Sequence, residues 1–345
     1  MKKLFLLSAL VLAIVSCGGG SADSPSQGLT ERYASLLTPP ESYVCYRTST
    51  GIRVDGRLDE SDWEKAPMSK NFVDISTDVT PAKQTNVKML WDNDYLYIAA
   101  IIEEDHIVAN LKQRDTIIWK ENDFEVFIDP DGDGQSYFEI ELNARGTIMD
   151  LMMNRPYRNG GDFYMPWNCP GLIVKTSKTQ EAWYAEIAVP LSSVMMGFTK
   201  PSSLSSWRIN FSRVEWIPGQ ENEENWVWSP TGMINMHMPE RWGWLFFDVA
   251  PIGSIDCEDR PVAADIAHDI LWAMFYAQMD AKSEIGVYLT DVKDFGLSAK
   301  EKDAVGDISV EATSDYFKLE VCSADGKRYT VDSYSNYSCA ASPLP

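Results

Sequence analysis

One tryptophan stands a few residues ahead of a strand-like segment that carries carboxylates, within residues 115–129. Two sets alternate along this segment: Phe124, Val126 and Ile128, and Glu125, Phe127 and Asp129. A period of two is typical of a strand that has one face in a core. The apolar face of a pyranose ring stacks on an indole, and its hydroxyl groups need hydrogen-bond partners. Trp119 and Glu125 therefore have the chemistry of a sugar site, and a core tryptophan beside a solvated strand face is the alternative.

An acidic turn follows directly after this segment. Its residues are Asp129, Asp131, Asp133 and Gly134. They match the first half of a calcium loop, in which oxygens surround the cation and glycine permits a sharp bend. The glutamate that such a loop needs at its twelfth place is missing, because Ile140 stands there. We expect structural Ca²⁺ at the three aspartates, and a hairpin turn without an ion is the alternative.

Length and composition set limits on the fold and on the partners. The chain has 345 residues, of which 45% are hydrophobic, with 12 Trp and 13 Phe. This supports a substantial core with room for one large sandwich and a smaller second unit. The formal net charge is −21, and such an acidic chain is a poor candidate for binding nucleic acid or anionic membranes.

The N-terminus resembles the signal of a bacterial lipoprotein. A basic start precedes an apolar run from Leu4 to Val15, and Cys17 follows. The run is shorter than the ~20 residues of a transmembrane helix. The resemblance implies a signal peptide over residues 1–17, a membrane anchor through lipid on Cys17, and a tether over residues 18–42. We expect an outer-membrane lipoprotein of the cell envelope, facing the periplasm or the cell surface, with an ordinary secretory signal as the alternative.

The pattern changes after residue 251. Val262, Ile266 and Ile270 recur at every fourth position, which predicts an amphipathic helix over about residues 261–282. Short strands are predicted at 306–313, 315–322 and 327–331. These elements indicate a small α+β unit of unassigned role over residues 261–340.

Five segments stand in a fixed order along the middle of the chain. They are Ile52–Glu60 with Trp63, Val87–Ala100, Trp119–Asp129, Trp183–Pro190 and Pro239–Phe247. In this order the chain resembles the family 9 carbohydrate-binding modules over about residues 50–248. The resemblance implies a mainly β fold, an antiparallel β-sandwich of the jelly-roll or immunoglobulin-like kind over residues 43–250.

The resemblance also implies roles for single residues. Trp119 matches the family's first stacking tryptophan, and Glu125 matches its hydroxyl-binding carboxylate. The second stacking tryptophan falls at Met236 and a sugar-binding arginine falls at Glu139, so the clamp of two tryptophans is not kept. The predicted carbohydrate-binding residues are Trp119, Glu125, Asp123, Arg213 and Trp228, with Trp216 and Trp226 as alternative platforms.

The function implied by the resemblance is non-catalytic binding of a polysaccharide or oligosaccharide in support of carbohydrate catabolism. Glycan-degrading enzymes or transporters are the expected partners. A glycosidase needs two carboxylates on either side of one bond, and carboxylates are abundant in any acidic chain. The alternative is a protein that is associated with glycoside hydrolases or that itself hydrolyses O-glycosyl bonds.

A haem site is a further alternative, because sandwiches related to this fold hold haem b in some redox proteins. Thioether and imidazole groups are suitable ligands for haem iron. The candidate ligands are Met149, Met152, Met153, Met236, His237 and Met238. Methionine also fills irregular gaps in cores, which is the simpler interpretation.

Five cysteines remain beside Cys17, an odd number for an oxidising compartment. Cys45 and Cys257 bracket the region that resembles family 9, and Cys322 and Cys339 flank a predicted hairpin. We expect these two pairs to form disulfides and Cys169 to be free, although the sequence alone does not fix the pairing.

Overall fold

The computed structural model describes residues 27–195, 200–203 and 205–340. The strands are β1 Ser42–Arg47, β2 Val73–Asp74, β3 Thr85–Trp91, β4 Tyr95–Glu103, β5 Asp123–Asp129, β6 Tyr137–Asn143, β7 Ile148–Met153, β8 Phe163–Tyr164, β9 Ile173–Lys178, β10 Ala182–Pro190, β11 Ser206–Glu215, β12 Glu224–Val227, β13 Gly243–Pro251, β14 Val305–Ala312, β15 Phe317–Ser323, β16 Arg328–Asp332 and β17 Tyr337–Ala340. The helices are α1 Leu29–Arg32, α2 Ser61–Lys65, α3 Leu191–Val194, α4 Ile266–Ile285 and α5 Ala299–Asp303. Within these ranges, no helix has both the length and the apolar character needed to cross a membrane. The predicted lipidation site, Cys17, lies outside the described residues.

A 13-stranded hydrogen-bonded sheet forms the sandwich. Its strand order is β8-β7-β6-β5-β11-β13-β1-β3-β4-β10-β9, and β12 joins β11 to β2. Most neighbouring strands are antiparallel, but β1 runs parallel to both β13 and β3. The predicted mainly β sandwich is confirmed, with β1 as the exception to antiparallel pairing.

The main apolar core contains side chains from both halves of this sheet. Phe124 and Val126 of β5 are fully buried in it, as are Ile98 of β4 and Ile187 of β10. Because successive side chains of a strand point to opposite faces, this core holds only one face of β5. The pattern of residues 123–129 predicted that face.

The opposite face of β5 and β6 is buried as well, since every residue of both strands is buried. Side chains from distant loops pack over it, among them Ile75, Ile118, Met236 and Trp242 beside Phe127. The covering side chains are far from β5 in sequence, so the alternation along the strand could not show this second buried layer.

The C-terminal unit consists of α4 packed on the four-stranded sheet β14-β15-β16-β17. Leu271 and Phe275 of the helix and Phe317 and Val331 of the strands are fully buried in one cluster. Asp265 caps the helix by accepting a hydrogen bond from the Ala267 N–H at 3.0 Å. The first three strands lie close to their predicted positions, and β17 was not predicted. The helix begins at Ile266 and not at about residue 261, so Val262 precedes it, and Ile266 is 40% exposed.

Residues 27–40 pack against this C-terminal unit. Leu29 is fully buried in the same apolar cluster as α4. The Glu301 carboxylate accepts hydrogen bonds from the backbone N–H groups of Leu29 at 3.1 Å and Thr30 at 2.7 Å. The predicted tether over residues 18–42 is therefore a packed segment in its described part.

All five cysteines of the described residues are free. Cys322 lies on β15 and Cys339 on β17, and β16 runs between them. Two strand spacings of about 4.8 Å exceed the Cα separation of about 7 Å that a disulfide allows. Cys45 is buried in the core whereas Cys257 is exposed. Neither predicted pair is bonded, and Cys169 is free as expected.

Candidate functional site

Trp119 is an exposed side chain whose backbone is held on both sides. It belongs to a 3₁₀ turn directly before β5, and it is 41% exposed. Its neighbour Ile118 is fully buried and anchors the turn. The Trp119 N–H donates to Glu141 Oε2 at 3.3 Å, and the Trp119 carbonyl accepts a bond from the Trp216 indole at 3.0 Å. The backbone of Trp119 is thus held in place, and its side chain is open to a ligand.

Four carboxylates lie next to this turn on one face of β5 and β6. We call this set the acidic cluster: Asp123, Glu125, Glu139 and Glu141. Glu125 stands directly opposite Glu141 in the strand register. Oxygen atoms of Asp123, Glu125 and Glu141 all lie within 4.8 Å of one another. Oxygens so arranged can accept hydroxyl groups, share protons or hold a cation.

Burial raises the pKa of every member of the acidic cluster. Loss of solvation, together with the charge of Glu139, raises the pKa of Glu125 to about 8. Loss of solvation raises the pKa of Glu139 to about 7. Burial and the neighbouring carboxylates raise the pKa values of Asp123 and Glu141 well above their ordinary range. Near neutral pH the cluster is therefore partly protonated, so it can donate as well as accept hydrogen bonds.

Three buried polar atoms on this face lack a hydrogen-bond partner among the described residues. They are Asp123 Oδ2, Glu139 Oε2 and Ser212 Oγ. Ser212 lies opposite Glu125 in the register of β11 and β5. A buried polar group without a partner costs about 1–3 kcal/mol. These atoms keep a hydrogen-bonding capacity that the described residues do not use.

Arg213 lies elsewhere, contrary to its predicted contact with carbohydrate. Its side chain is 1% exposed, and its Nη2 lies 2.7 Å from Glu104 Oε2 and 2.6 Å from Glu215 Oε2. The guanidinium also covers the ring of Trp226 at 4.7 Å. Because strand neighbours alternate between faces, Arg213 and Ser212 point to opposite sides of β11. Arg213 forms an internal ion pair, and Trp226 is its packing partner.

Trp228 is a core residue and not the predicted platform. It is 2% exposed, and its ring packs against Phe211 with 5.8 Å between ring centres. A Cβ on Gly243 would lie 2.3 Å from Cζ3 of Trp228, so the ring fills the space that this glycine leaves. Trp216, which is half-buried beside Trp119, is the tryptophan of this region that stands near the candidate site.

Met236 stands where the resemblance places the second stacking tryptophan, and this residue is apolar but almost fully buried. Met236 is 9% exposed, and its carbonyl accepts a hydrogen bond from the Trp242 indole at 2.7 Å.

Two exposed aromatic side chains were missed by the sequence reasoning. Phe163, 47% exposed, is opposite Met153 in the register and so shares the face of the acidic cluster. Tyr157 is 44% exposed and packs on His237.

The candidate haem ligands are not gathered at one point. Met149, Met153 and Met236 share the apolar cluster on the face of the acidic cluster. Met152 packs against the main core, and Met238 belongs to the cluster around α4. The Nδ1 atom of His237 lies 2.9 Å from the Tyr137 hydroxyl. Met152 and Met238 are therefore removed from the set.

The acidic turn of the sequence analysis brings its three aspartates together. Oxygen atoms of Asp129, Asp131 and Asp133 lie within 4.8 Å of one another. Asp129 also accepts hydrogen bonds from the N–H groups of Gly132 at 3.1 Å and Gly134 at 2.9 Å. Burial and Asp131 raise the pKa of Asp129 well above its ordinary value, and burial raises that of Asp133 to about 6. The oxygen-only donor set fits calcium, while the backbone contacts alone would also stabilise the turn.

Comparison with known proteins gives the following relatives. The model of the family described as "Carbohydrate family 9 binding domain-like" matches residues 54–247. The chain is 28% identical over 144 residues to the exoglucanase XynX of Acetivibrio thermocellus, and over 141 residues to the endo-1,4-beta-xylanase A of Thermoanaerobacterium saccharolyticum. Each match covers 41% of this chain, but only 12% of the first enzyme and 11% of the second.

A solved structure shares the fold. It is a protein of Bacteroides uniformis with a proposed role in carbohydrate binding, and its TM-score is 0.50 at 16% identity. The alignment covers 61% of this chain and 100% of that chain.

Proposed function

Because the chain belongs to the carbohydrate family 9 binding domain-like family, whose model matches more than half of it, we propose that its sandwich binds carbohydrate at Trp119 and the acidic cluster. The observation that carries this proposal is the position of Trp119. Trp119 is 41% exposed, and its backbone N–H donates a hydrogen bond to Glu141 of the cluster. An apolar ring and hydroxyl-binding oxygens are thus adjacent, as a pyranose requires.

In this proposal the two parts of the site have separate tasks. The indole of Trp119 stacks on the apolar face of one sugar ring. Glu125 and the unpartnered Ser212 hydroxyl bind hydroxyl groups, and the raised pKa of Glu125 lets it serve as donor or acceptor near neutral pH. Because Met236 replaces the second stacking tryptophan, a sugar would stack on Trp119 alone and not between two tryptophans. We therefore expect a lower affinity for carbohydrate than a site with both tryptophans would have.

Isothermal titration with xylo- and cello-oligosaccharides tests this site. These ligands are chosen because the relatives include a xylanase and an exoglucanase. Trp119→Ala should weaken binding roughly ten- to hundredfold, because one stacked ring contributes about 1–3 kcal/mol, by analogy with base stacking. Glu125→Gln should weaken it less, since one neutral acceptor remains.

Tyr164→Ala is the matched control for this titration. Tyr164 is 54% exposed, but it lies opposite Met152 and so points to the other side of the sheet. Its loss should leave binding unchanged. Equal binding by the parent and by a folded Trp119→Ala variant would remove Trp119 from the site, and unfolding of that variant would show a structural role instead.

We further propose that the chain binds carbohydrate without cleaving it and supports carbohydrate catabolism together with glycan-degrading enzymes or transporters. The match to a family of carbohydrate-binding domains supports the binding, and the similarity of this region to parts of an exoglucanase and a xylanase supports a role beside glycan-degrading enzymes.

Attachment to the cell envelope through lipid on Cys17 is also a proposal, supported by the apolar run and cysteine at the N-terminus. Cys17→Ala should leave the protein unprocessed or release it from membranes, because no acyl chain is then added. Metabolic labelling with palmitate measures this directly. Unchanged labelling of the variant would contradict the anchor.

A structural calcium ion at Asp129, Asp131 and Asp133 is proposed as well. The three side chains supply oxygen ligands within 4.8 Å of one another. The ion would stiffen the turn between β5 and β6, and with it the start of the strand that carries Glu139 and Glu141.

A further inference from the structure

A cavity of about 640 Å³ lies between the sandwich and the C-terminal unit. Ligand pockets typically have about 300–1,000 Å³. Aromatic side chains from both units form much of its wall: Trp244, Trp272, Tyr276, Tyr329 and Tyr337. Neither Trp119 nor any member of the acidic cluster lines it, so this cavity is separate from the carbohydrate site proposed above.

Two buried arginines line this cavity, Arg208 at 3% and Arg241 at 4% exposure. Arg208 donates to the Trp242 carbonyl at 2.7 Å and lies 3.7 Å above the ring of Trp244. Arg241 donates to the carbonyl and hydroxyl of Thr38 at 2.7 and 2.6 Å. Among the described residues, neither guanidinium has a carboxylate within salt-bridge distance.

An unpaired buried guanidinium is unusual, because a charge without a partner is costly to bury. Loss of solvation is the main cause that lowers the pKa of Arg208 to about 10, and the positive charge of Arg241 contributes to this lowering. The charges of Asp129 and Glu240 act on Arg208, and those of Glu240 and Asp269 act on Arg241, but among the described residues none of these carboxylates forms a salt bridge with either arginine. Glu240 is instead bound by Arg158 at 2.7 Å and by Tyr276 at 2.9 Å.

The rest of the charged lining is mainly acidic. Asp131, Asp133 and Asp269 belong to it, together with His268 and with Lys327, whose ammonium lies 3.4 Å from Asp265. Asp131 is exposed, and Asp133 and Asp269 are half-buried. A ligand that pairs with the arginines must therefore carry hydroxyl groups, not further negative charge, toward the outside. The aromatic wall favours a ring that has an apolar face.

From this arrangement we infer that the cavity binds a sugar acid, with its carboxylate at Arg208 and Arg241 and its hydroxyl groups toward the mouth, where Asp269 lies outside the proposed calcium turn. A planar carboxylate matches the fork of a guanidinium. The residues come from the sandwich, the N-terminal segment and the C-terminal unit. Binding would therefore also hold these three parts together and stabilise the folded chain by mass action.

Titration of the purified full chain with sodium glucuronate, glucose and sodium sulfate tests this inference. Glucuronate should bind and raise the melting temperature, and Arg208→Gln and Arg241→Gln should each weaken its binding at least tenfold. Arg260→Gln is the control, because Arg260 is a partly exposed arginine outside the cavity, and it should bind like the parent. Glucose should not compete, and sulfate should bind more weakly than glucuronate.

A variant at the mouth of the cavity tests the inference without changing the buried arginines, whose substitution could unfold the chain. Ala263 is exposed and lines the cavity, so Ala263→Trp should block entry without disturbing the buried wall. It should weaken glucuronate binding at least tenfold. Full binding by Ala263→Trp, sulfate binding as tight as that of glucuronate, or loss of glucuronate binding in Trp119→Ala would each overturn the inference.

Discussion

At the scale of single residues, the tryptophans show what the sequence could and could not reveal. Trp119 precedes a strand, so it has no alternating partner in the core, and its exposure could be predicted. Trp228 was assigned to the same site, but it is buried. Its burial depends on Gly243, the first residue of β13, whose missing side chain makes room for the ring. Contacts of this kind are visible only after the chain has folded.

The contact between Gly243 and Trp228 leads to a prediction for stability. A Cβ at residue 243 would lie 2.3 Å from the buried indole, so Gly243→Ala should destabilise the fold by about 1–3 kcal/mol through overpacking. Chemical denaturation measures this cost. In Gly306→Ala, the control, the new Cβ would meet its nearest neighbour at 3.5 Å, and the cost should be smaller. Equal stability of both variants would contradict the packing role of Trp228.

His237 makes the stability dependent on pH. Burial lowers its pKa to about 3, while an unfolded histidine titrates near 6.5. Between these values the unfolded chain binds a proton that the folded chain does not. The contribution of the neutral imidazole is therefore present above pH 6.5 and is lost as the pH falls toward 3.

Comparison with His237→Gln isolates this contribution, since glutamine does not titrate. The free energy of unfolding should decrease more steeply in the parent than in the variant between pH 7 and pH 4.5. Denaturation curves at both pH values provide the measurement. Parallel decreases would mean that His237 is protonated as readily in the folded state as in the unfolded chain.

At the scale of elements, regular periodicity was a reliable guide and loops were not. The alternation along β5 predicted its core face. The repeat of Val262, Ile266 and Ile270 at every fourth position predicted a helix here, but α4 begins only at Ile266, and of the three residues only Ile270 lies on its buried face. The loop side chains that bury the other face of β5 have no such period. The helix α1 has four residues, which are too few to show a periodic pattern. It packs against α4, so this part of the predicted tether belongs to the folded structure.

The turn between β5 and β6 gives a prediction for an ion. If Asp129, Asp131 and Asp133 hold calcium, excess chelator should lower the melting temperature, because an ion that binds only the folded state stabilises it. Asp131→Ala should remove this response. Asp315→Ala, which changes an aspartate that is 90% exposed on another loop, should keep it. A melting curve that is insensitive to chelator in the parent would favour a turn held by backbone hydrogen bonds alone.

At the scale of the whole molecule, the sandwich and the C-terminal unit make direct contacts. The Tyr337 N–H donates to the Asp133 carbonyl at 3.0 Å, and a Cβ on Gly134 would lie 2.9 Å from the Ser335 carbonyl. The sequence predicted two separate units, and the order of five segments led to the correct sandwich. The cavity between the units could not be predicted, because its residues come from segments far apart in the chain.

Binding of carbohydrate at Trp119 beside the acidic cluster can be observed in a crystal structure of the chain with the xylo- or cello-oligosaccharide that binds most tightly in titration. We expect a sugar ring stacked on the Trp119 indole, with a hydroxyl group hydrogen-bonded to Glu125. A sugar bound elsewhere, with the Trp119 indole free, would contradict it.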